Sequence, residues 1–217
     1  MTSRCLTSRN FTLRSSLLAV ACVLGVTGCA SPPTHYYTLI APATAAPANV
    51  NQAPFQFDMQ AVLMPVQVDQ PPLVIRQGDG SLAILENERW GAPLGDEFHD
   101  AVTGQLERRF GSRDLAGLPK QSGQPVLSVR TDVRRFESVL DQYALIDVVW
   151  NLSLRSSGAG AGTQRQTLTC SSVIRQPAGI GMEGLVLAHQ KAVSTLADII
   201  ARTATQWARQ SDARCPS

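Results

Sequence analysis

Leu127-Ser128-Val129-Arg130-Thr131-Asp132-Val133-Arg134 sets Leu127, Val129, Thr131 and Val133 on one side of an extended chain. Ser128, Arg130, Asp132 and Arg134 fall on the other. A period of two marks a strand with one face on a core and one face toward water. The pattern returns at Tyr143 to Leu154, where Ala144, Ile146, Val148, Trp150, Leu152 and Leu154 form the inner row. Ser156 to Gly162 is Gly-rich and reads as a turn, and Thr163 to Ile174 as the returning strand. Three strands in sequence with short connections predict an antiparallel meander.

Outward from the meander the period changes. Glu183 to Arg209 carries Leu185, Ala192, Leu196, Ile199, Ile200 and Trp207 at helical spacing and predicts a long amphipathic helix. On the N-terminal side, Leu94, Phe98, Val102, Leu106 and Phe110 recur every four residues after Pro93, and Gly111 ends the stripe. Leu73-Val74-Ile75-Arg76 and Leu82-Ala83-Ile84-Leu85 flank Gly78-Asp79-Gly80, a hairpin signal. Phe55 to Val68 alternates at its start and predicts a half-buried strand, with Pro65 marking it as an edge strand or one bulged at its end. Tyr36-Tyr37-Thr38-Leu39 is a short β-prone run, and residues 40–54, with Pro42, Pro47 and Pro54, read as a loop. Strands grouped in runs rather than alternating with helices predict an α+β fold. Its sheet is mostly antiparallel, with two main amphipathic helices packed on one face.

The 217 residues are 44% hydrophobic and 17% charged, enough for one core without metals or many disulfides. The net charge of +2 comes from 19 basic and 17 acidic residues. Arg4, Arg9 and Arg14 stand in the first 28 residues with no acid, so the rest of the chain is close to neutral. A neutral body argues against a nucleic-acid partner, which needs a cationic face to neutralise phosphates.

Residues 1–28 combine that basic start with an apolar run from Leu17 to Val26, too short for the ~20 residues of a membrane span. They read as a secretory signal peptide. Val26-Thr27-Gly28-Cys29 resembles the lipobox of bacterial lipoproteins. That resemblance implies acylation of the Cys29 thiol, cleavage after Gly28 and acylation of the new amino terminus. Cys22 is a weaker candidate, since Ala19-Val20-Ala21 would cut the apolar run short. Ala30 and Ser31, in place of an aspartate after the cysteine, imply sorting to the periplasmic face of the outer membrane. The expected division is therefore a signal peptide at 1–28, a lipidated tether at 29–35 and one periplasmic domain at 36–217. Six residues from Ala30 to His35 reach only ~20 Å when extended, so the domain is expected to sit close to its membrane. In an oxidising periplasm Cys170 and Cys215 are candidates for a disulfide, the alternative being a buried Cys170 with a free Cys215.

Catalytic chemistry has little to work with. His35, His99 and His189 sit in three separate contexts, and the nucleophile-elbow, zinc-protease and phosphate-loop patterns are missing. Asp96, His99 and Asp100 share a helix face but read better as a solvated surface than as metal ligands. Gly179-Ile180-Gly181-Met182-Glu183-Gly184 matches the dinucleotide pattern, yet no parallel strand follows that helix, so the glycines read as a turn. Arg130, Arg134 and Arg135 on a strand, and Arg108, Arg109 and Arg113 at a helix end, read as surface or as contacts for anionic lipid headgroups. No catalytic residue, metal or cofactor is expected.

A lipobox cysteine followed by Tyr36-Tyr37-Thr38-Leu39 resembles the PqiC/YmbA-type ABC-transport auxiliary lipoproteins. The resemblance continues at Val62-Leu63-Met64-Pro65-Val66, at Pro71 to Arg76, and at Arg89-Trp90-Gly91-Ala92-Pro93-Leu94. It implies a non-enzymatic accessory subunit of an MCE system that moves lipids between membranes and supports envelope integrity. Its implied partners are a periplasmic MCE-domain protein with its transporter, the outer membrane and further copies of itself. Tyr36, Tyr37, Leu39, Trp90 and Pro93 form the candidate cluster, serving either packing or a partner interface. Two alternatives stay open, an assembly lipoprotein of another envelope machine (lipopolysaccharide export or secretion) and an envelope enzyme or small-ligand binder.

Overall fold

The alternation at Leu127 extends into a strand running from Val126 to Val139, longer than its pattern. The computed structural model describes residues 32–42, 52–78, 80–158, 161–210 and 214–216. In chain order the elements are β1 (His35–Tyr37), β2 (Gln56–Met59), β3 (Pro72–Gln77), β4 (Ser81–Trp90), α1 (Leu94–Phe110), β5 (Val126–Val139), β6 (Tyr143–Gly158), β7 (Ala161–Pro177) and α2 (Gly181–Arg209). The fold is α+β and mostly antiparallel. Its strands form two sheets, ordered β1-β4-β3 and β2-β5-β6-β7, and each sheet has one parallel edge strand, β1 on β4 and β2 on β5.

The pattern of β5 stops at Arg134 for a structural reason. The register with β6 shifts between Val133 and Arg135, a β-bulge. Before it Leu127, Val129, Thr131 and Val133 are buried; after it Phe136 and Ser138 are. One extra residue moves the buried set from odd to even positions and leaves Arg134 and Arg135 both exposed. The inner row of β6, from Ile146 to Leu152, shares a core with Phe98, Val102 and Leu106 of α1 and with Leu196 and Ile200 of α2. Helix α1 ends at Gly111, whose φ of 62° favours a residue without Cβ.

Strand β2 differs from expectation. It spans four residues rather than the run to Val68, and all four are buried. Phe57 meets Phe110 edge-on at 5.1 Å between centroids, while Gln56 and Asp58 point the other way. That second face is covered too. Gln56 exchanges hydrogen bonds with the Gln121 backbone at 3.0 and 2.7 Å, and Lys120 Nζ lies 3.2 Å from Asp58. Polar side chains survive burial here because each finds a partner.

The glycines where the chain enters α2 make a close turn. A Cβ on Gly184 would lie 2.4 Å from the Gly179 carbonyl carbon, inside any real contact distance. Asp141 Oδ1 accepts from the Gly181 amide at 2.7 Å and caps the helix from another turn. Gly184→Ala is therefore expected to cost about 1–3 kcal/mol through overpacking against rigid backbone. Urea unfolding measures it, and an unchanged midpoint would contradict this packing.

Candidate functional site

Short strand β1 places Tyr36 and Tyr37 on opposite faces, because successive side chains alternate. Tyr36 is exposed and Tyr37 half-buried. Parallel pairing sets His35 opposite Glu88 and Tyr37 opposite Trp90. The Tyr37 hydroxyl donates to Glu88 at 2.7 Å, and the His35 ring lies 3.0 Å from the other oxygen of the same carboxylate. Burial, assisted by the facing Glu88 carboxylate, pushes the Tyr37 hydroxyl up to about 12. Partial burial alone would raise Glu88, but the hydrogen bonds from Tyr37 and His35 outweigh it and hold the carboxyl below its ordinary value.

The chain then turns into the helix layer. Glu97, in the first turn of α1 and buried, accepts from Thr38 Oγ1 at 2.7 Å and from the Leu39 amide at 2.9 Å. Gln190 of α2 donates to the Thr38 carbonyl at 2.9 Å. Leu39 enters the core at 1% exposure. Pro93 is exposed and opens α1; its carbonyl accepts from the Asp96 and Glu97 amides. Asp69 Oδ1 accepts from the Gly95 amide at 2.9 Å, adding negative charge at the positive end of the helix dipole.

Trp90 lies beneath this cluster at 3% exposure. Its ring meets Phe136 and His189 edge-on at centroid distances of 6.2 and 6.3 Å. His189 is fully buried and stacks on Phe136 at 4.1 Å. Its Nε2 is 2.8 Å from Ser138 Oγ, while Nδ1 has no partner among the described residues. Desolvation pushes its pKa down to about 3, so the ring is neutral at physiological pH. An unpaired buried N–H is the costlier orphan, so the proton belongs on Nε2, donating to Ser138.

The five candidate residues thus lie in three environments. Leu39 and Trp90 are core, Tyr37 is hydrogen-bonded at the boundary, and Tyr36 and Pro93 face outward. The sequence reading missed Glu88, Glu97 and Gln190 and named His189 only as an isolated histidine, yet these four lock the cluster. No local pattern marks them, since each acts on a segment more than 50 residues away. Cys29 and Cys22 lie outside the described residues. Cys170 on β7 and Cys215 are joined in the structure, with Cα atoms 5.4 Å apart.

Among the described residues no group of three His, Cys, Asp or Glu is placed to hold a metal ion, and no helix is long and apolar enough to cross a membrane. His99 lies against Asp100 at 3.0 Å. Two of the helix-end arginines serve structure: Arg109 ties α1 to α2 through Ser194 and Asp198 and also bonds Gln105 within α1, and Arg113 meets Glu107.

The family described as ABC-type transport auxiliary lipoprotein component matches residues 37–201. No curated protein matches the chain. Two crystal structures share its fold. One, of an uncharacterised protein, is 18% identical over 79% of this chain and 98% of its own, with a TM-score of 0.55. The other, from Xanthomonas campestris, is 18% identical over 83% of this chain and 98% of its own, with a TM-score of 0.52.

Proposed function

The chain belongs to the ABC-type transport auxiliary lipoprotein family, and on that premise we propose that it is a non-enzymatic docking subunit of an MCE-type lipid transport system. It is held by acyl chains on Cys29 at the periplasmic face of the outer membrane. The family match over residues 37–201 carries this reading. The lipobox before that match supports the anchor, since two or three acyl chains hold stably where one does not, at ~0.8 kcal/mol per buried methylene. The short tether supports a domain lying close to the bilayer. Exposed Tyr36 and Pro93 are offered to the periplasmic partner, while Leu39, Trp90 and Glu97 hold the loop that presents them. The Cys170–Cys215 bridge forms in that oxidising compartment and ties the C-terminal tail to β7.

Affinity purification of the anchored protein from detergent-extracted envelopes tests the reading. An MCE-domain protein is expected among the partners by mass spectrometry, and Cys29→Ala is expected to leave a folded domain that no longer recovers it. Recovery of the bait alone, or of the components of a different envelope machine, would overturn the assignment.

A further inference from the structure

We infer that the groove between the two sheets binds the phosphate of an anionic phospholipid headgroup. This rests on the membrane-anchored reading above and adds a ligand to it. The groove has a volume of about 130 Å³ and lies between β3, the start of β4 and the bulged stretch of β5. The bulge exposes Arg134 and Arg135 in succession, and Arg76 of β3 lines the same groove. Bulges commonly re-aim side chains beside functional sites.

Glu137 is shared, accepting from Arg135 at 2.9 Å and lying 3.4 Å from Arg76, while Asp132 lies 3.2 Å from Arg134. Glu137 is the one carboxylate lining the groove with the three guanidinium groups, while Asp132 beside Arg134 and Asp147 across the strand pair from Arg135 stand outside its lining, so phosphate oxygens compete with these carboxylates for the arginine forks. Among the described residues the buried Arg76 Nε finds no hydrogen-bond partner. A buried charged donor left without an acceptor is costly, and an incoming oxyanion supplies one. Guanidinium groups also match phosphate oxygens as paired forks.

The surroundings favour an amphiphile over a free ion. Val74 and Phe136 line the groove with exposed Leu82, and Ile84, 51% exposed and paired with Val74, follows Leu82 on the same face of β4. The volume falls below the roughly 300–1,000 Å³ of sites that enclose a whole drug-sized ligand. It accommodates a headgroup and leaves the acyl chains outside, against those apolar residues.

Native mass spectrometry of the purified, acylated full-length mature protein in nonionic detergent tests this. Dioleoyl phosphatidylglycerol, dioleoyl phosphatidylcholine and inorganic phosphate are added separately. One phosphatidylglycerol per chain is expected, with occupancy about tenfold lower in the Arg134→Gln/Arg135→Gln variant, a loss of charge-assisted bonds. Both arginines are exposed, so the variant should keep the wild-type thermal midpoint. Glu137→Gln, which removes a competing carboxylate, should raise occupancy. Undiminished binding by the double variant, equal binding of phosphatidylcholine, or binding of phosphate but not lipid would each overturn the inference. The assay needs no partner protein, so its failure is distinct from failure to recover an MCE protein.

Discussion

Trp90→Ala is expected to lower the unfolding free energy by about 3–5 kcal/mol, the range for emptying a buried Trp site. The indole is 3% exposed, in edge contact with Phe136 and His189 where the end of β4 meets both α2 and the second sheet. Its backbone is also fixed, since its amide donates to the Pro71 carbonyl at 2.7 Å and the next amide to Tyr37 at 2.8 Å. Neighbours held in this way relax little, so the cavity persists. Trp90→Phe keeps most of the apolar volume and should cost less than half as much. Urea unfolding of the three proteins, with a constant m-value, gives the numbers. A loss below about 1 kcal/mol for Trp90→Ala would reassign the residue from core to a surface that waits for a partner.

Acidification from pH 7 to pH 4.5 should remove about 2–3 kcal/mol of stability through His189 alone. Burial holds the folded imidazole near 3, against 6.5 for the free side chain. Between those values the unfolded chain binds a proton that the folded chain refuses. Stability from this group is therefore complete above pH 6.5 and is lost as pH falls toward about 3, at up to ~1.4 kcal/mol per unit. The stack on Phe136 and the single bond to Ser138 offer no carboxylate to compensate the charge. His189→Phe retains the stack but cannot protonate. It should be less stable at pH 7, where Ser138 loses its partner, yet its stability should vary less with pH. The difference in slope between the two proteins isolates His189, because the other titrating groups are common to both. Parallel stability profiles from pH 7 to 4.5 would show that the ring protonates without unfolding the core.

Much of the secondary structure was legible from side-chain period. The odd-numbered row from Leu127 to Val133, the stripe from Leu94 to Phe110 and the hairpin at 78–80 each follow from a local rule acting over a few residues. The stretch from Phe55 to Val68 shows where such rules stop. Its alternation predicts one dry and one wet face, but the 115–121 segment covers the second, a contact between residues some 60 apart. The bulge at Arg134 was equally hidden, since a bulge answers to the partner strand and the sheet's curvature rather than to its own residue.

The candidate cluster divides along the same line. Tyr36 to Leu39 and Trp90 to Pro93 stand out as short motifs, and the sequence alone determined the strand–loop and strand–helix junctions they occupy. It also determined the α+β class and the near-neutral body, because period and composition are properties of the chain itself. Only the tertiary structure decided that Trp90 and Leu39 are core while Tyr36 and Pro93 face outward. It alone brought Glu88 to His35 and Tyr37, Glu97 to the Thr38–Leu39 backbone, and His189 to a dry stack on Phe136. The physical reason is that burial and hydrogen-bond partnership depend on which distant segments meet. Glu97 on a helix's first turn is an ordinary solvated acid until a β-strand end with unpaired donors arrives beside it.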